Sequence, residues 1–158
     1  AGLLIVPGPL GTHVISIHGG KVDWRRAAMT SDEVEQASRR LLWDVGADVG
    51  PSADEESAWI AEGEGQGDYP FDRTTAHRLY AGLIAASEED LAGAHNLFIA
   101  SEGALAALPL GILVTAEPEG LDGDPASLRA TSWFADSHAL SQVPSFRSLA
   151  LLRDLRRP

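Results

Sequence analysis

Apolar and polar positions along this chain repeat with two different periods, and the change of period marks its elements. Leu3 to Val6 is a short apolar run that reads as a strand, followed by turn residues Pro7-Gly8-Pro9 and Gly11. Thr12 to His18 alternates, with Val14 on one face and Ile15 and Ile17 on the other, and reads as a second strand. Gly19-Gly20 is a two-residue hairpin signal, so Lys21 to Ala27 becomes a third strand and residues 3 to 27 an antiparallel meander. The period then lengthens. Thr30 and Glu33 have the spacing of a capping box, Asp32 and Glu33 suit the positive end of a helix, and Val34, Ala37, Leu41 and Val45 make its buried face. Gly46 is the expected stop.

The pattern fades over residues 47–71. Asp54-Glu55-Glu56, Glu62, Glu64 and Asp68 are interrupted by Gly63, Gly65 and Gly67, and Trp59-Ile60 reads as a short anchor inside a solvated loop. Helical spacing returns at Asp72, a cap for a helix to about Ala86 whose stripe is Ala76, Leu79, Tyr80, Leu83 and Ile84. Ser87 to Ala94 reads as an exposed connection with a helical turn at Glu88-Glu89-Asp90.

The stretch from Asn96 to Leu113 organises the second half. Leu97 to Ala100 is apolar without alternation, as in a strand buried on both faces. Ser101-Glu102-Gly103 is a polar turn, Ala104 to Leu108 returns to apolar residues, Pro109 stops regular pairing, and Ile112 to Val114 reads as a second short strand. Ser132 to Ala135 is a short element before a strand at Ala139 to Val143, which Pro144 ends. Ser145 or Ser148 caps a last helix with Leu149, Leu152 and Leu155 as its stripe, and Arg153, Arg156 and Arg157 suit its negative end. One α/β domain accommodates all of this, with 1–46 a strand meander plus helix, 47–71 an acidic loop and 72–158 core strands and helices.

Composition narrows the function classes. At 44% apolar and 22% charged residues the chain is globular, and 158 residues can bury a sizeable core. A net charge of −11 argues against nucleic acid or an anionic membrane as partner and suits a basic protein surface. One Lys against eleven Arg reads as genomic bias. With no cysteine, the chain has no disulfide scaffold, thiolate metal site or cysteine nucleophile of its own. No apolar run has membrane-spanning length and no basic-then-apolar leader precedes Leu3, so the cytoplasm is the default location. No internal repeat is visible.

Leu97 through Leu105, followed by Leu108-Pro109-Leu110-Gly111-Ile112-Leu113, resembles the opening of a CHAT domain, the caspase-like domain often found behind tetratricopeptide repeats in bacterial proteins. Leu110 stands where that family more often has Phe. Trp133-Phe134-Ala135 through Ala139-Leu140-Ser141-Gln142-Val143-Pro144-Ser145, then Ser148-Leu149, resembles the family's strand ending in Pro-Ser and leading into a helix. The likeness covers roughly residues 72 to 155. It implies a three-layer caspase-like sandwich, present in part, with the antiparallel meander as an extension.

Candidate chemistry is sparse. His18-Gly19-Gly20 resembles the oxyanion motif of some esterases and the His-Gly pair of CHAT domains, yet it lies in a hairpin near the start, and the hairpin reading is preferred. Ser137-His138 places two useful groups side by side, but neighbours in sequence rarely have nucleophile–base geometry and no Gly-x-Ser-x-Gly elbow occurs. His77 and His95 read as structural or solvent-facing. Gly63, Gly65 and Gly67 lack phosphate-cradle spacing. The acidic segments 54–68 and Glu117 to Asp124 could suit Ca²⁺, but both are better read as solvated loops. No catalytic, cofactor or metal residue is therefore assigned. In the CHAT resemblance the strands carrying His and Cys come later than the Pro-Ser segment. The expectation is then a non-catalytic leading part that scaffolds a dyad outside this chain. Its partner would be the remaining C-terminal half of the domain, or a second copy through an exposed sheet edge. The alternative is a self-contained acidic α/β interaction module.

Overall fold

The computed structural model describes residues 1–47, Ser57 and 70–155. Strands β1 (Gly2–Val6), β2 (Thr12–His18), β3 (Lys21–Ala27), β4 (Asn96–Ala100) and β5 (Ala139–Gln142) form one sheet in the order β3-β2-β1-β4-β5. β1/β2 and β2/β3 pair antiparallel, whereas β1/β4 and β4/β5 pair parallel. The fold is thus mixed α/β, with the expected meander at one side of a parallel block. Gly19 and Gly20 take φ of +57° and +78°, the left-handed pair that lets a two-residue turn follow the strand twist.

Helices α1 (Ser31–Asp44) and α2 (Arg73–Leu83) lie on one face of the sheet. The capping box forms as its spacing predicts: Thr30 Oγ1 accepts from the Glu33 N–H, and Glu33 accepts from the Thr30 N–H at 2.7 Å. The Thr30 N–H, and after it the Thr30 hydroxyl, donate to the Glu33 carboxylate and hold it below its ordinary pKa. Asp72 caps α2, accepting from Thr75 N–H at 2.7 Å. At the other end of α1, Asp44 accepts from Asp72 N–H at 3.0 Å and from Arg40 Nε at 3.1 Å, tying the two helices together. Burial pushes the Asp44 carboxyl up, and these bonds pull against that shift.

The core gathers Leu3, Ile5, Val14, Leu97 and Ile99 from the sheet under Val34, Ala37, Leu41, Ala76, Leu79 and Leu83. Val45 departs from expectation. It closes α1 as the C-cap and is exposed, while Ser38 and Leu42 are buried in the helix. The connection after α2 also departs: Ser87 and Leu91 are buried, because a 3₁₀ turn at Ala85–Ser87 folds it back onto the body.

The chain from β4 to β5 crosses the same packed face through α3 (Ala104–Ala107) and α4 (Pro125–Ala130). The expected strand at Ile112 to Val114 is absent. Leu110–Ile112 is a 3₁₀ turn, and only Val114 makes an isolated bridge, to Trp133. Pro109 and Gly111 leave too short a run for a ladder. After β5, helix α5 (Phe146–Leu155) lies on the opposite face, where Phe146 stands against Gly2. Ser145 is its cap, accepting from Ser148 N–H at 3.1 Å. Leu149 is half-buried. The acidic, glycine-interrupted segment, with Trp59-Ile60 and the weighed Ca²⁺ reading at 54–68, lies outside the described residues apart from Ser57. So do the side chains of Leu152 and Leu155.

Candidate functional site

In open α/β sheets ligands bind beyond the carboxyl ends of parallel strands. Here those ends lead into Pro7-Gly8 after β1, Ser101-Glu102-Gly103 after β4 and Val143-Pro144 after β5. The bonds that cross this end are structural. Gln142 Nε2 donates to Leu108 O at 2.9 Å and Ala106 O at 3.3 Å, and Glu35 accepts from Ala104 N–H at 2.9 Å, closing the start of α3. Ser101 and Glu102 lie in the turn after β4, and His13 stands opposite Val6 at the end of β1, where it stacks on Trp24.

The polar side chains collect at the opposite end, around the turn Glu88–Ala92. On one side lies a cleft of about 650 Å³, lined in part by Ser16, His18, Lys21, Asp23, Glu89 and Asp90. Ser16 Oγ donates to Asp90 Oδ2 at 3.1 Å, and Arg25 bridges Asp90 and Asp23, the latter at 2.6 Å. His18 Nδ1 lies 3.2 Å from Asp90 O. A carbonyl can only accept, so Nδ1 carries the proton. These bonds staple the turn to the β2/β3 hairpin. His18-Gly19-Gly20 is a hairpin end in the structure, as expected.

On the other side of the turn a smaller cleft, of about 340 Å³, is lined by Glu88, His95, Ser137 and His138 among others. Ser137 Oγ lies 2.9 Å from His138 Nδ1. The neighbours touch, and the direction of the bond decides what the contact can do. The hydroxyl also donates to Phe134 O at 3.1 Å. Once the hydroxyl proton is committed to that carbonyl, His138 Nδ1 must donate to Ser137, the reverse of a general base. His138 packs on the Phe134 ring with centroids 5.4 Å apart. The pair therefore closes a turn rather than building a nucleophile. Beside it Tyr80 donates to Glu88, and burial together with that carboxylate raises the phenol's pKa, so it stays neutral.

His77 is structural as expected, its Nδ1 donating to Val114 O at 3.0 Å. The acidic loop 117–124 is held by a residue the sequence reading passed over. Arg73 is 1% exposed and spends all five guanidinium N–H groups: Nε on Asp122 at 2.6 Å, and the rest on Ser127 O, Thr131 Oγ1, Glu119 O and Gly120 O. A cation lies at the centre of that loop, and it is the protein's own. Asp124 caps α4, and the Ser127 hydroxyl and N–H hold its carboxyl below the ordinary range. Among the described residues no group of three or more His, Asp or Glu is placed to hold a metal ion. None of their helices is long and apolar enough to cross a membrane.

No protein family, curated protein or solved structure that was compared matches this chain.

Proposed function

We propose that this chain is the leading, non-catalytic part of a CHAT-like, caspase-like cysteine peptidase domain, and that it scaffolds a His/Cys dyad carried outside these residues. The observation that carries the reading is the plan of the sheet. Three parallel strands, β1, β4 and β5, are flanked on one side by an antiparallel pair and are open on the other side among the described residues. Ala139 N–H and Val143 N–H bond inward to His95 O and Ile99 O, so the backbone groups of Leu140 and Gln142 face outward. β5 carries no charged residue, whereas the β3 edge carries Lys21, Asp23, Arg25 and Arg26, the usual guard against pairing. A further strand fits beside β5. Helix α5 on the second face begins a third layer. The absence of Cys agrees with a dyad placed elsewhere.

The gene beyond Pro158 tests this directly. The expected sequence encodes a strand ending in His-Gly, then a strand ending near a Cys, within one domain length. A stop codon after Pro158 overturns the reading. The purified chain is expected to leave peptide substrates uncleaved. It is also expected to self-associate in sedimentation through β5, and Ser141→Lys should abolish that association.

A second reading, a self-contained acidic interaction module, is favoured by the exposed apolar residues of β2 and β3. A monomer that pairs through neither edge would support it.

A further inference from the structure

The second face of the sheet is far less covered than its residues require. The pairing register sets them in rows across β3, β2 and β1: Val22, Ile17 and Gly2; then Trp24, Ile15 and Leu4; then Arg26, His13 and Val6. Helix α5 lies over this face at the β1 side, and a Cβ on Gly2 would meet the Phe146 ring at 2.9 Å. Over β2 and β3 no described element continues the cover. Ile17 is 37% exposed, Trp24 59% and Val22 68%. His13 stacks on Trp24 with centroids 5.5 Å apart and planes 17° apart, which fixes the indole in the patch.

Two features say what fits there. The first is width. Strands lie about 4.8 Å apart and packed helices about 10 Å apart, so one helix covers about two strands. Helix α5 reaches β1, and the open ground is β2 and β3, room for one more helix. The second is charge. The chain carries −11, yet the charged side chain that the register sets on this face is Arg26, while Lys21, Asp23 and Arg25 alternate to the other face. Arg147, next to Phe146 in α5, is also exposed.

We propose that the β2/β3 half of this face docks an amphipathic helix of a protein partner. Its apolar stripe sits on Ile17, Val22 and Trp24, and carboxylates on its flank meet Arg26. A second copy seated here by the same face would set its own Arg26 against this one and bring no carboxylate to it, so it is the poorer fit. The inference stands apart from the peptidase reading, which concerns the β5 edge and the gene beyond Pro158.

The test titrates the full chain into a fluorescein-labelled helical peptide of about eighteen residues, with Leu at helical spacing and Glu on its flanks. A twin with Lys on the flanks is the control. Fluorescence anisotropy is expected to give saturable binding of the Glu peptide, about tenfold tighter than the Lys twin. Val22→Ser with Trp24→Ser, both at exposed positions, should weaken it at least about tenfold. Arg26→Glu should reverse the preference between the two peptides. Arg26 also donates to Leu10 O, so circular dichroism checks that this variant keeps its fold. Absence of saturable binding overturns the proposal, and so does equal binding of the two peptides or binding unchanged by the double variant. Self-association abolished by the double variant also overturns it and assigns the face to a second copy.

Discussion

The two faces of the sheet are built from the same kinds of residue and end in opposite states. Leu3, Ile5, Val14, Leu97 and Ile99 on one face are sealed under α1, α2 and the β4–β5 connection. Ile17, Val22 and Trp24 on the other face are open to solvent. Strand composition does not explain the difference, since β2 contributes Val14 to the first and Ile17 to the second. The path of the chain does. The connection from β3 to β4 and the one from β4 to β5 step the same way along the sheet and cross the same face, as a shared right hand requires. The second face receives only α5 among the described elements. An apolar alternation thus says which positions favour cover, and topology decides which of them the chain itself can cover.

The largest expected effect lies on the sealed face. Leu97→Ala removes a fully buried side chain from between the sheet and its helices, and should cost about 4 kcal/mol in urea unfolding. A cost below about 1 kcal/mol would mean that this face is not the core, and the contrast between the faces would collapse. Next comes the clamp on the covering layer. Arg73→Met keeps the apolar stem but strands Asp122 and four other acceptors, with an expected loss of about 3 kcal/mol, tempered because Asp122 is partly hydrated. Limited proteolysis should then cut within 117–131. Arg73→Lys should not restore resistance, because an ammonium cannot reach the same five acceptors.

A smaller effect lies at the start of α1. Thr30→Ala removes the hydroxyl cap and should cost about 1 kcal/mol at neutral pH. Its pH dependence has a definite sign. The Glu33 carboxyl is held below its unfolded value first by the Thr30 N–H, which Ala keeps, and then by the Thr30 hydroxyl, which Ala loses; the hydroxyl's share is present above the ordinary carboxylate range and lost as pH falls through the lowered folded value. The gap between wild type and Thr30→Ala should narrow in acid. A gap that widened would reverse the assignment of the Thr30–Glu33 bond.

What was legible beforehand shares one property: it is local. The Gly19-Gly20 turn, the Thr30–Glu33 box, the Asp72 cap and the alternation of β2 each depend on residues within a few positions, and each formed where its spacing indicated. What was missed depends on distant chain. Arg73 looks like an ordinary polar residue opening a helix until residues 119–131 return to surround it. Ser87 and Leu91 look exposed until the turn folds back. Of the proposed docking face, the Ile15/Ile17 side of β2 could be read from alternation. That no helix of the described chain covers its β2/β3 half could not.

The open face supplies the smallest and sharpest test. Val22 is 68% exposed, opposite Ile17 in the register, with no helix of the described residues above it. Val22→Thr keeps the β-branched shape that the strand favours and exchanges a methyl for a hydroxyl that water can reach. Stability should therefore change by less than about 0.5 kcal/mol. The same exchange at Val14, three register positions away on β2 and on the sealed face, buries a hydroxyl and should cost about 1–3 kcal/mol. Measured side by side, the two variants isolate cover from sequence, since residue, strand pair and substitution are matched. If Val22→Thr proved as costly as Val14→Thr, something would already cover the β2/β3 half of the second face, and the two faces would no longer be a contrast.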